Sequence, residues 1–370
     1  MARFDEAFEE FAGLRDRLLG WYGRCRRDLP WRRSSDPYAI WVSEIMLQQT
    51  RVAVVVERYQ TFVAKFPTLV ALALAPEQEV LALWSGLGYY RRARMLHKTA
   101  KFVAENFGGN LPSRAEQLEV LPGIGSYTAA AIASIAHGER VAVVDGNVER
   151  VICRLAGWDA GSRKGGGAVL RRKITDLAER LLDPARPGDF NQAMMELGAT
   201  VCAPQNPRCL ICPLSMDCKT QGEHKTPRRA PMISRAVAHA LSVRSSRSAA
   251  KRHGSGTREV LLEQRPAELT VMPGLWELPK LREVEVPEAN LRMTVRHAIM
   301  QVNYYVRIRT VFEDDVEAMT IPGGERRWVP LREAADMALT GLARKVLKRA
   351  HLLPSAPLDA IAPAKGADVV

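Results

Sequence analysis

At 370 residues the chain exceeds what one hydrophobic core comfortably serves, and two domains are expected. A composition of 47% hydrophobic and 25% charged residues is that of an ordinary globular protein, and apolar runs such as Val52–Val56 and Val141–Val144 are far too short to span a bilayer. The net charge of +12 suits a polyanionic partner, since each Lys or Arg that meets a phosphate releases condensed counterions; a basic protein with no nucleic-acid role has the same balance.

The start, Met1-Ala2-Arg3-Phe4-Asp5-Glu6, has acidic residues where a secretory signal needs an apolar stretch, so a cytoplasmic location is expected. Phe4–Arg24 carries apolar residues at Phe4, Phe8, Phe11, Leu14, Leu18 and Leu19, a helical period. Trp41–Gln49, Val52–Phe66, Glu77–Trp84, Arg91–Phe107 and Ser113–Leu121 continue it, separated by turn chemistry such as Ser34-Ser35-Asp36-Pro37 and Gly108-Gly109-Asn110-Leu111-Pro112. Ser126–His137, Val148–Ala156, Leu170–Leu182 and Phe190–Ala199 follow. Residues 1–220 therefore read as an all-α domain. From Lys219 to Arg258 ten Lys/Arg face one acid, Glu223. Within that stretch a basic linker is expected over 221–234. Arg235–Val243, Glu259–Arg265, Val295–Thr310 and Arg326–Val329 have the β-branched or aromatic content of strands, and Leu331–Met337 and Gly341–Ala350 look helical. A small α+β domain is expected over 235–352, with 353–370 as a loose tail.

Six cysteines are unevenly placed: Cys25 and Cys153 stand alone, while Cys202-x6-Cys209-x2-Cys212-x5-Cys218 packs four into one short stretch. In a reducing compartment such a cluster points to metal before disulfides. Four thiolates suit a 4Fe–4S cube or a zinc ion; zinc generally takes two CxxC pairs, and only Cys209 and Cys212 form one here. Arg208 and Lys219, on a loop stiffened by Pro204, Pro207 and Pro213, put positive charge within reach of a phosphate backbone.

Leu121-Pro122-Gly123-Ile124-Gly125-Ser126 lies between two helical stretches. Its glycines permit a tight turn, and backbone N–H groups opening the next helix can hold a phosphate. Downstream, Val141–Val144 delivers Asp145 to a glycine turn that opens another helix. That carboxylate either caps the helix or serves chemistry. Trp41-Val42-Ser43-Glu44-Ile45-Met46-Leu47-Gln48-Gln49-Thr50 sets one acid among apolar neighbours. Buried there, Glu44 would have a raised pKa and could protonate a leaving group at neutral pH; on the polar side of an amphipathic helix it would be inert.

The cysteine spacing resembles the cluster loop of the endonuclease III superfamily of DNA glycosylases, and the Leu121–Gly125 turn resembles their helix-hairpin-helix. The stretch Trp41–Thr50 closely resembles the MutY-type adenine DNA glycosylases. So do Leu29-Pro30-Trp31-Arg32 with Asp36-Pro37-Tyr38, Gly86-Leu87-Gly88-Tyr89-Tyr90-Arg91-Arg92-Ala93-Arg94, and Asn191–Gly198. The resemblance runs almost continuously over 21–220 and more loosely beyond. It implies a helix-hairpin-helix glycosylase domain carrying a 4Fe–4S cluster on Cys202, Cys209, Cys212 and Cys218, joined to a Nudix-like α+β domain that recognises 8-oxoguanine. It implies Glu44 as the general acid toward adenine, Asp145 as the stabiliser of an oxocarbenium ion, and Tyr127 and Asn147 beside the reacting sugar. Leu29, Trp31, Arg32 and Glu196 match positions lining the adenine pocket, and Gln49 and Tyr89 match residues entering the base stack. Gly123, Gly125, Gln48 and Arg91 are the expected DNA contacts.

Bifunctional members place a lysine where Tyr127 stands, and Gly123–Gly138 holds no lysine, so a monofunctional hydrolase is expected. Met272–Pro279 resembles the Nudix-like domain best, but Glu283, Glu285 and Glu288 are wrongly spaced for nucleotide hydrolysis. Where the family commonly has Phe-Ser-His, this chain has Ile299-Met300-Gln301, so recognition of 8-oxoguanine is expected to be weaker or differently built. The expected substrate is duplex DNA with adenine opposite 8-oxoguanine or guanine, handled by a monomer in the cytoplasm, at the nucleoid of a bacterium, with no membrane partner. The rivals are an endonuclease III-like bifunctional pyrimidine lyase and a damage-binding protein without chemistry.

Overall fold

The computed structural model describes residues 11–159, 163–223, 231–246 and 257–354; part of the expected first helix, part of the linker and nearly all of the expected tail fall outside these. The chain divides into two compact units, Met1–Leu74 with Met95–Arg229, and Ala75–Arg94 with Ala230–Val370. Among the described residues no helix is long and apolar enough to cross a membrane.

Up to residue 223 the described elements are helical: α1 (Ala12–Cys25), α2 (Pro37–Leu47), α3 (Val52–Lys65), α4 (Leu69–Leu74), α5 (Glu77–Leu83), α6 (Arg91–Asn106), α7 (Ala115–Glu119), α8 (Ser126–His137), α9 (Gly146–Ala156), α10 (Arg163–Leu181) and α11 (Pro187–Thr200). Their ends follow local chemistry. Asp36 caps α2, accepting from the Tyr38 and Ala39 amides at 3.1 and 3.3 Å, and Pro37 takes the first helical position, where its missing N–H costs nothing. Every residue of α2 from Tyr38 to Met46 is buried, so the helix has no wet face on which Glu44 could sit. At roughly 1.5–3 kcal/mol per fully buried large aliphatic side chain, this helix is anchored rather than draped.

Leu14, Leu18, Trp21 and Tyr22 of α1 pack with Val148 and Ile152 of α9, Ile174 and Leu181 of α10, and Phe190, Met194 and Leu197 of α11. The hairpin between α7 and α8 turns at Gly123, φ +76°, where a Cβ would fall 1.9 Å from the Met95 Cγ; no other residue fits.

The second unit contains β1 (Ile233–Leu241), β2 (Val243–Ser246), β3 (Thr257–Gln264), β4 (Trp276–Glu277), β5 (Lys280–Leu281), β6 (Leu291–Ile299), β7 (Val302–Thr310), α12 (Val316–Met319), β8 (Thr320–Ile321), β9 (Arg326–Pro330), α13 (Leu331–Ala334) and α14 (Gly341–Arg349). One sheet runs β6-β7-β1-β5-β8, with β1 parallel to β7; the other runs β2-β3-β4 with β9 on β3. The single strand expected over Arg235–Val243 breaks at the buried Ser242, where the chain passes from one sheet to the other. The run Val295–Thr310 is likewise two strands, a hairpin whose two-residue turn is Met300-Gln301, with Met300 at φ +54°. Val260, Leu262, Val306, Ile308, Val346 and Leu347 form a core of this unit.

Candidate active site

A cavity of about 550 Å³ opens in the first unit between α2, α8, α11 and the turn after α1. Its wall includes Glu44, Tyr127, Asp145 and Asn147, as well as Leu29, Trp31, Arg32, Gln48, Gln49 and Glu196. Nearly all the residues expected at the reacting sugar and the base pocket thus converge, although they come from stretches up to 167 positions apart. Gly123 and Gly125 are exposed on the hairpin, Arg91 is exposed at the start of α6, and Tyr89 is exposed in the Ala75–Arg94 segment; none of the four lines the cavity. Gly125 is the N-cap of α8, and a Cβ there would meet nothing within 4 Å.

Glu44 is 5% exposed, and the Tyr127 hydroxyl donates to its Oε2 at 2.5 Å. Burial pushes the Glu44 carboxyl up to about 7; the Tyr127 hydrogen bond and Arg32 oppose this, and the Asp145 charge adds to it. Burial and the Glu44 charge raise the Tyr127 hydroxyl well above its ordinary value, so it stays a donor.

Asp145 is both cap and wall. Its Oδ1 accepts from the Asn147 and Val148 amides at 2.9 and 2.7 Å, and its Oδ2 from the Asn147 side-chain amide at 2.9 Å. The approach to it is set by Asn191, which accepts from the Val143 amide at 3.0 Å and donates to the Val141 carbonyl and the Ser134 hydroxyl, both at 2.9 Å. A buried side chain therefore pairs the backbone of Val141–Val144, which has no sheet to pair with. Gly198 allows α11 to press on Asn147: a Cβ there would fall 2.7 Å from the Asn147 Cβ. Arg150 donates to Asn147 Oδ1 at 2.9 Å, to the Gly198 carbonyl at 2.6 Å and to the Cys202 carbonyl at 2.8 Å.

On the opposite wall Glu196 is buried between two guanidinium groups. Arg27 donates to both its oxygens at 2.7 and 2.8 Å, and Arg32 to Oε2 at 2.7 Å. Burial pushes this carboxyl up, but hydrogen bonds from Arg27 and Arg32 overcome it and hold it at about 2. Glu44 and Glu196 thus share one cavity and lean in opposite directions, one toward the neutral acid and one toward the anion. Arg27, Gln192 and Met195 also line the wall and were not singled out individually from the sequence. Gln192 and Met195 belong to the Asn191–Gly198 stretch that drew notice as a whole; nothing in the spacing links Arg27 to a glutamate 169 positions away.

The four clustered cysteines line a second, smaller hollow. Arg154 reaches into this loop, donating to Cys202 Sγ at 3.3 Å and to the Ala203 and Pro204 carbonyls at 2.7 and 3.0 Å, and the Gln221 amide meets Cys218 Sγ at 3.5 Å. Among the described residues no group of three or more Cys, His, Asp or Glu is gathered tightly enough to hold a single metal ion. Burial, with the other three thiols adding to it, pushes Cys212 up to about 11.

Residues 42–167 match the HhH-GPD superfamily of base excision DNA repair proteins. The chain is 50% identical over 221 residues to the adenine DNA glycosylase of Homo sapiens, covering 57% of this chain and 40% of that protein. It is 40% identical over 307 residues to the enzyme of that name from Arabidopsis thaliana, covering 72% and 47%. The chain spans about half the length of the curated relatives it matches. Among solved structures, a thermostable thymine-DNA glycosylase superimposes with a TM-score of 0.52 and 32% identity, over 58% of this chain and 97% of that one. The helices, the hairpin and these matches agree, and the chain belongs to the HhH-GPD superfamily of base excision DNA repair proteins.

Proposed function

We propose that this protein is a monofunctional adenine DNA glycosylase, hydrolysing the bond between adenine and deoxyribose in duplex DNA where adenine lies opposite 8-oxoguanine or guanine. The observation that carries this reading is Glu44: a carboxyl buried in a 550 Å³ cavity, raised to about 7, and facing the same space as Asp145. A neutral acid at physiological pH can hand its proton to a departing purine, and such tuning is how a carboxyl becomes a general acid. As the bond breaks, positive charge builds on the sugar; Asp145, already held in place by three N–H donors, supplies a fixed negative charge to meet it. Tyr127 holds Glu44 in position. It stands where bifunctional members of the resembled family carry a lysine, and without an amine no Schiff base to the sugar can form.

The pyrimidine-lyase rival loses ground on Tyr127, and the non-catalytic rival on the joint presence of Glu44 and Asp145. Leu29, Trp31, Arg32 and Glu196 form the walls against which an extruded adenine would rest, and Gln49 and Tyr89 fill the gap it leaves. The Gly123–Gly125 hairpin, its two glycines exposed and opening α8 with no side-chain cap, suits a DNA phosphate, with Gln48 and Arg91 as further contacts. In the second unit we read the two sheets as a Nudix-like domain facing the opposing base, with Met300 and Gln301 at the tip of an exposed hairpin.

The cysteine loop fits a 4Fe–4S cluster. In a cube each thiolate binds a different iron, so four sulfurs can line one hollow without closing on a single-ion centre; N–H donors to Cys202 and Cys218 suit thiolate ligands. When bound, the cluster supplies a cross-link that staples the end of the helical unit. The deciding experiment incubates the protein with duplexes bearing A:8-oxoguanine, A:guanine or a damaged pyrimidine, developed with and without alkali. Strand breaks only at adenine and only after alkali are expected; breaks at the pyrimidine, or without alkali, overturn the reading.

A further inference from the structure

The stretch Gly86–Tyr90 is strongly contorted: Gly86, Gly88 and Tyr89 have φ values of +97°, +70° and +46°. Glycine enters that region freely, whereas tyrosine is strained there and stays only if its surroundings impose it. Burial of the ring does not do so, because Tyr89 is 48% exposed. The restraint comes from Arg92 and the buried Trp84. Nη2 of Arg92 donates to the Leu87 carbonyl at 3.0 Å and to the Gly88 carbonyl at 3.2 Å, and Trp84 Nε1 donates to the same Gly88 carbonyl at 3.1 Å. The guanidinium carbon lies 5.5 Å from the Trp84 ring centre and 5.6 Å from that of Tyr89. On the far side of Tyr89, the buried Tyr90 donates its hydroxyl to the Leu339 carbonyl at 3.1 Å. Burial lowers the Arg92 guanidinium to about 10, so a charge is kept at some cost against two ring faces and the loop carbonyls.

We infer that Arg92 is a positioning residue for Tyr89: bonded to the two carbonyls that precede Tyr89 and packed against its ring, it holds that ring ready to enter the base stack as the target nucleotide leaves. The inference rests on the proposed reading of the chain as an adenine glycosylase. A planar guanidinium can present a face to the ring and an edge to the carbonyls together, which a lysine ammonium cannot.

The test uses the full chain and a duplex with 2-aminopurine in place of the target adenine, whose fluorescence rises on unstacking. Arg92→Met is expected to lower affinity for that duplex about tenfold and to abolish most of the fluorescence gain, with the single-turnover rate at saturating enzyme falling less. In a Tyr89→Ala background the same substitution is expected to change affinity less than about twofold, because nothing remains to be positioned. Arg92→Lys, which keeps the charge, serves if the methionine variant does not fold, and is expected to lose most of the gain as well. Equal losses with and without Tyr89, or a lysine variant indistinguishable from the wild type, overturn the inference. A wild-type protein that leaves 2-aminopurine stacked and adenine uncut overturns instead the glycosylase reading on which it stands.

Discussion

Replacing Glu44 by glutamine removes a titratable proton and almost no volume, and the amide oxygen still accepts from Tyr127. If Glu44 is the general acid, excision of adenine slows by about 10²- to 10⁴-fold, equivalent to roughly 3–5 kcal/mol of barrier. Stability changes in the opposite sense. The carboxyl moves from 4.5 to about 7 on folding, about 2.5 units at about 1.4 kcal/mol each, or roughly 3 kcal/mol in total. Because the folded pKa is the higher one, the folded state binds the extra proton. The associated stability is complete below pH 4.5 and is lost as pH rises through about 7. Glutamine has nothing to titrate and loses none of it. Wild type and variant should therefore melt together near pH 4, while the variant melts roughly 6–12 °C higher above pH 8, at about 2–4 °C per kcal/mol for a unit of this size. Thermal melts across that range, beside single-turnover excision on an A:8-oxoguanine duplex, read both arms. A variant that excises at the wild-type rate, or a difference in melting temperature that ignores pH, refutes the placement of a neutral buried acid at this position.

Glu196→Ala leaves Arg27 and Arg32 facing one cavity without their counter-charge. A loss of about 3 kcal/mol is expected, the lower part of the range for a broken buried pair because Arg27 is 38% exposed. Its pKa is lowered to about 2, so the stabilisation is full above 4.5 and disappears as pH falls through 2; denaturant unfolding should show the gap to wild type narrowing on acidification. Cys212→Ser should strip iron and visible absorbance from the purified protein and lower its melting temperature; metal analysis that finds zinc in the wild type rejects the iron–sulfur assignment. At the β6–β7 turn, Met300→Ser restores one hydroxyl and should raise the ratio of excision rates opposite 8-oxoguanine and guanine by about 2- to 10-fold, the net worth of one hydrogen bond. An unchanged ratio shows that this turn does not read the opposing base.

Local chemistry alone made much of the helical unit legible. Asp36-Pro37 starts a helix because a carboxylate can cap it and a proline can begin it, and Gly123 turns the hairpin because glycine enters the left-handed region freely. The cysteine spacing was readable for the same reason: four thiols in one short loop are neighbours before the chain folds. Strand boundaries in the second unit were less legible. The break at Ser242 and the turn at Met300-Gln301 interrupt runs whose composition is continuous, and only sheet pairing decides where they end.

From the residues alone, Glu44 could have been a solvated acid on a helix or a proton donor in a pocket. Its sequence neighbours allow both, because exposure is a property of what packs against a helix rather than of the helix itself. Burial of every residue from Tyr38 to Met46 decided it, and in doing so set the carboxyl near 7. Glu196 took the opposite character from Arg27 and Arg32, partners that no local pattern joins to it. The identity of these carboxylates is written in the chain; their protonation, and hence their chemistry, is decided by desolvation and charge that exist only once distant segments meet.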